Sequence, residues 1–67
     1  MLKISLNGVE QHVERPISVA ALLAENGYAE RKVAVEINRE IVPKSMHAER
    51  IIHDGDTVEV VHALGGG

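Results

Sequence analysis

Leu2, Ile4 and Leu6 alternate with Lys3, Ser5 and Asn7. A period of two predicts a strand with one buried face. Asn7-Gly8 follows, the strongest short-range hairpin signal in the chain. Val9 to Val13 continues the pattern, with Glu10 and His12 opposite in parity to Val9, Gln11 and Val13. The chain up to Glu14 therefore predicts an antiparallel hairpin. Arg15-Pro16 ends it, because proline has no N–H to give to a ladder. Ser18 is placed to cap a helix, and Val19, Leu22 and Leu23 share one helical face. Gly27, after Glu25 and Asn26, supplies a left-handed closing residue. Together these predict one helix of about ten residues. Its acidic capping-box partner is missing, because position 21 is Ala21.

Val33, Val35 and Ile37 alternate with Ala34 and Glu36, a third strand. Asn38-Arg39 suits a tight turn into a short fourth strand, Glu40 to Val42, which Pro43 stops. Lys44 to Arg50 reads as a loop or one irregular helical turn, anchored to the core by Ile51 and Ile52. Asp54-Gly55-Asp56 is a turn, and Val58 to His62 is the last strand, with Val58 and Val60 facing inward. A lone helix on a mixed sheet must cover one of its faces. The helix serves as a right-handed crossover toward a strand beside the first. This order fits an α+β, ubiquitin-like β-grasp of four to five strands on one main helix. Other small α+β arrangements remain compatible with the pattern.

Composition narrows the function. The chain has 67 residues and 7.3 kDa, one small domain. With 45% hydrophobic and 25% charged residues, global disorder is not expected. Tyr28 is the one aromatic residue, so the core must come from Val, Ile, Leu and Ala. A core that thin leaves little room for an enclosed substrate pocket, which favours a binding or carrier domain over a self-sufficient enzyme. The lack of Cys removes disulfides, thiolate zinc ligands and a thiol nucleophile. No apolar run reaches the roughly 20 residues of a membrane span, and the first residues lack the apolar centre of a signal peptide. A cytoplasmic, monomeric protein off the membrane is expected. Seven Lys and Arg against ten Asp and Glu give −3. No basic field suits nucleic acid, whereas a negative carrier can meet a more positive enzyme.

The sequence ends Leu64-Gly65-Gly66-Gly67. A frayed end or linker remnant is one reading. The other is functional. Glycines let a main chain enter a channel that would exclude side chains, and an extended Leu64 to Gly67 reaches roughly 10–13 Å. That distance brings the Gly67 carboxylate into a partner's active site while residues 1–64 stay outside as the domain and 65–67 act as the tail. A carboxylate is a poor electrophile. Activation as an acyl-adenylate would open it to a sulfur nucleophile, with the partner supplying Mg-ATP and electrostatic stabilisation.

Several segments together resemble a known family. They are the Asn7 hairpin, the helix Val19 to Glu25, Val35-Glu36-Ile37-Asn38-Arg39-Glu40-Ile41-Val42-Pro43, Ile51-Ile52-His53-Asp54-Gly55-Asp56 and the final Gly66-Gly67. The chain resembles, over nearly its whole length, the ThiS sulfur carriers of thiamine biosynthesis. It departs at Gly65, where members often carry another small residue. The resemblance implies a protein co-substrate rather than an enzyme. A ThiF-like adenylyltransferase would activate Gly67 with ATP and Mg²⁺. A cysteine-derived sulfur donor or desulfurase would convert it to a thiocarboxylate, and thiazole synthase would take the sulfur. The chain itself would bind no cofactor and no metal. The small subunit of molybdopterin synthase shares this logic, but its members are usually longer and more aromatic near the tail. A protein modifier joined through Gly67, or a β-grasp interaction module with an inert tail, is the further alternative.

Leu64, Gly65 and Gly66 are the candidate tail-recognition residues, and Val61 is a candidate docking residue. Parity sets Val61 opposite Val60, where it is either exposed beside the tail or covered by a neighbouring segment. Glu10, Glu14, Glu36 and Glu59 can present an acidic sheet face, for which solvation is the plain account. His12, His47, His53 and His62 have no ligand spacing and read as surface residues. Asp54 and Asp56 lack the rest of a calcium loop, so a turn explains them.

Overall fold

A computed structural model describes residues 1–29 and 31–62 of the chain. Five strands form one sheet in the order β2-β1-β5-β3-β4. They are β1 (Leu2–Leu6), β2 (Val9–Val13), β3 (Val33–Ile37), β4 (Glu40–Val42) and β5 (Thr57–His62). Among the described residues there is one α-helix, α1, spanning Val19–Glu25, and a 3-10 turn spanning Lys44–Met46. β1 pairs antiparallel with β2 and parallel with β5, while β3 pairs antiparallel with both β4 and β5. This is the β-grasp arrangement.

The two hairpin turns follow from their sequences. Asn7 and Gly8 have φ of 51° and 82°, both positive, as the tightest two-residue hairpin requires. Asn38 and Arg39 repeat this with 52° and 71°. Arginine has no intrinsic preference for that region, and the turn is held from outside. The Asn38 side chain accepts from the Thr57 N–H and donates to Asp56 Oδ1, both at 3.0 Å. The Asp54-Gly55-Asp56 turn is tied in the same way. Asp54 Oδ1 accepts from the Lys3 N–H, and Asp56 Oδ2 from the His53 N–H.

Helix α1 has seven residues with the bounds Val19–Glu25 read from the sequence, fewer than the ten or so its apolar spacing suggests. Ser18 caps it by accepting from the Ala21 N–H at 3.0 Å. Just before it, the backbone bridges to the Arg50–Ile52 segment, which fixes where the helix begins. At the other end Asn26 donates to the Leu22 carbonyl and accepts from Gln11 of β2, so helix end and sheet edge are bonded together. Gly27 then takes φ of 84° and the chain turns back.

Val19, Leu22 and Leu23 pack onto the inward residues of the strands: Ile4 and Leu6, Val35 and Ile37, Val58 and Val60. Ile52 adds a fully buried side chain, but Ile51 is 38% exposed and contributes mainly its backbone. The expected anchor is therefore Ile52 alone. His47 also departs from expectation. It is buried, with Nε2 3.1 Å from the Val42 carbonyl oxygen. A carbonyl can only accept, so Nε2 carries the proton. The His47 carbonyl in turn accepts from the Ala20 N–H. This histidine joins the Pro43–Arg50 connection to both β4 and α1.

Candidate functional site

The end of β5 is the place from which any tail chemistry must start. β1 runs parallel beside β5 only as far as Leu6, opposite Val58. Beyond that point β5 loses its strand partner on this side. The Asn7 side chain takes over: its Oδ1 accepts from the Val60 N–H at 2.7 Å. The other side stays laddered to β3 as far as Val33 opposite His62. Tyr28, just after the helix, approaches His62 with ring centroids 6.2 Å apart. Asn7, Val33 and Tyr28 thus frame the last described residues of β5. Leu64, Gly65, Gly66 and Gly67, the tail candidates, lie outside the described residues.

The parity of β5 divides its side chains cleanly. Val58 and Val60 are buried under α1, while Val61 is 60% exposed on the face that no helix covers. No bulge interrupts the β3–β5 ladder, so the sequence parity holds. Val61 lies across from Ala34, and the next outward pair is Glu36 opposite Glu59. Glu36 also faces Ile41 of β4, which is 72% exposed. The open face therefore combines apolar Val61, Ala34 and Ile41 with a directly opposed pair of carboxylates. Like charges in that register destabilise a sheet, and exposed apolar side chains lie beside them.

The other acidic candidates are elsewhere. Glu10 is engaged by His12 at 2.9 Å on the β2 edge, and Glu14 lies past the end of β2. His12, His47 and His53 occupy a sheet edge, the buried connection and the turn before β5. Among the described residues, no group of three or more His, Cys, Asp or Glu could hold a metal ion, and no helix is long and apolar enough to cross a membrane. Asn7 was legible only as a turn residue; its second role, replacing a strand partner for Val60, needs the parallel β1–β5 register.

Comparison with known proteins sets this geometry in context. The ThiS family model matches residues 4–67. The sulfur carrier protein ThiS of Bacillus subtilis is 34% identical over 96% of this chain and 98% of its own length. Two proteins named thiazole synthase also match over 98% of this chain. That of Paramagnetospirillum magneticum is 48% identical and that of Magnetococcus marinus 38%. This chain spans only 20% of their length. The crystal structure of the thiamine biosynthesis protein ThiS from Geobacter metallireducens superposes with a TM-score of 0.85 at 29% identity. It covers 98% of this chain and 100% of that one. The chain belongs to the ThiS family.

Proposed function

We propose that this protein is a sulfur carrier for thiazole formation, with the reacting group on the Gly67 carboxylate. A ThiF-like adenylyltransferase binds the open face around Val61 and threads Leu64, Gly65 and Gly66 into its active site. The carboxylate attacks the α-phosphorus of Mg-ATP and pyrophosphate leaves. A sulfide-equivalent nucleophile from a cysteine-derived donor then attacks the acyl carbon, AMP leaves, and a thiocarboxylate remains. Thiazole synthase takes the sulfur, an oxygen from water or from the sulfur-accepting substrate replaces it on the acyl carbon, and the carboxylate returns. ATP and Mg²⁺ enter with the activating enzyme. This chain contributes the acyl group and the docking surface.

The observation that carries this reading is the ThiS family match, which runs through Gly67. The thiazole synthase relatives support the choice of acceptor: a region resembling this chain makes up a fifth of each of them, which is how a carrier joined to the enzyme it serves would look. The apolar and acidic open face supports docking to a more positive partner.

The test uses protein whose Gly67 carboxylate is free. It is incubated with a ThiF-like enzyme, Mg-ATP and a sulfur source, and its intact mass is measured. Replacement of one oxygen by sulfur at the C-terminal residue is expected. Unchanged mass with several competent activating enzymes would favour an inert interaction module. Offering the loaded protein separately to thiazole synthase and molybdopterin synthase distinguishes the two sulfur pathways.

A further inference from the structure

A second feature lies between α1, the segment leading into β3, and the 3-10 turn. Here a cavity of about 600 Å³ opens to solvent, within the size range of small-molecule sites. Leu23, Val33 and Ala20 supply apolar walls, and Tyr28 adds a ring with a hydroxyl. Arg31, Lys32 and Lys44 also line it, three of the seven Lys and Arg in a chain of charge −3. Its described lining contains no carboxylate. Among the described residues no Lys or Arg lies within salt-bridge distance of a carboxylate; the close His12–Glu10 contact is on the β2 edge. A solvated basic surface would need no cavity, and a purely apolar pocket would not gather three cations.

We propose that this cavity binds a small organic phosphate ester. The phosphate meets Arg31, Lys32 and Lys44, and the carbon skeleton lies against Leu23 and Val33. A phosphate monoester carries roughly −1.5 to −2 at neutral pH, a closer match to several cations than the single charge of a carboxylate. The arginine fork can hold two phosphate oxygens while the lysines act as point charges, and the Tyr28 hydroxyl can donate to a third. Free phosphate would satisfy the cations but leave the apolar walls uncovered. The site is independent of acyl chemistry at Gly67, so either can fail without the other.

The full chain is titrated at constant ionic strength with phenyl phosphate and with inorganic phosphate, reading amide proton–nitrogen NMR shifts. Saturable shifts are expected at Leu23, Tyr28, Arg31, Lys32 and Lys44. Phenyl phosphate should bind about fivefold more tightly than inorganic phosphate through its buried apolar area. Lys44→Gln and Arg31→Gln should each weaken it about tenfold, the loss of one charge-assisted hydrogen bond. Lys44→Arg should retain binding, and Lys3→Gln, outside the cavity, should leave it unchanged. The spectrum of each variant reports its own folding. Non-saturating shifts spread over every basic residue, or equal weakening by Lys3→Gln and Lys44→Gln, would overturn the site. Inorganic phosphate binding as tightly as the ester would overturn the assignment of an organic ligand.

Discussion

Val60 and Val61 are neighbours on β5 with identical side chains, yet Val60 is 5% exposed and Val61 60%. The difference is the alternation of the strand and the single helix, which covers one face of the sheet and leaves the other open. On the covered face every buried residue of the three central strands is aliphatic. On the open face Val61, Ala34 and Ile41 surround two opposed carboxylates, an arrangement that folding alone would not select. One face makes the fold stable, and the other exposes the docking face proposed above. Asn7 belongs to both, since it closes the first hairpin and holds the strand that leads to the tail.

Breaking the covered face should have the largest effect. Ile37 of β3 is fully buried in the same cluster as the helix residues Val19, Leu22 and Leu23, and Ile37→Ala should cost about 2–5 kcal/mol through lost transfer energy and a cavity. Urea unfolding would show this as a lower midpoint. An unchanged midpoint would mean that the helix-covered layer is not the source of stability.

Asn7→Ala tests the link between the faces. It leaves the Val60 N–H without its acceptor and sets alanine at a positive φ. A loss of about 2–3 kcal/mol is expected from the two together. Hydrogen exchange at the Val60 amide should rise more than at Val35, and equal changes at both would contradict a local role for Asn7.

On the open face, folding and docking should separate. Val61→Asp should change stability by no more than about 0.5 kcal/mol, as surface substitutions do. It should nonetheless weaken the complex with the activating enzyme about tenfold or more, because a carboxylate would then be desolvated in an apolar contact. Calorimetric titration together with a thermal melt measures both. The smallest effect, of opposite sign, is expected from Glu36→Gln. Relieving the repulsion with Glu59 should stabilise the fold by a few tenths of a kcal/mol while slowing association at low salt. Stopped-flow association at two ionic strengths, beside a denaturation curve, would detect the trade.

Most of the body was legible in the sequence because its signals are local. The alternation of Leu2, Ile4 and Leu6, the Asn7-Gly8 and Asn38-Arg39 turns and the Ser18 cap each act within a few residues. What was not legible depends on contacts between distant segments. Helix α1 begins and ends where Ser18 and Gly27 mark it, but the bonds that tie its start to residues 50–52 and its end to Gln11 have no local signal. His47 is buried because β4 and α1 both close over the connection that carries it, and no local pattern encodes that. Val61 could be assigned to a face by parity, but only the uninterrupted β3–β5 register settles that it is exposed. The cavity around Arg31 and Lys44 joins residues far apart in the sequence and had no linear signature.

The most direct measurement of the carrier account is ATP–pyrophosphate exchange by a ThiF-like enzyme with this protein's terminal carboxylate as the acceptor of the adenylyl group. The account predicts exchange that depends on the intact chain and is lost when Gly67 alone is deleted, with the melting temperature unchanged. Exchange that persists without Gly67 would contradict it.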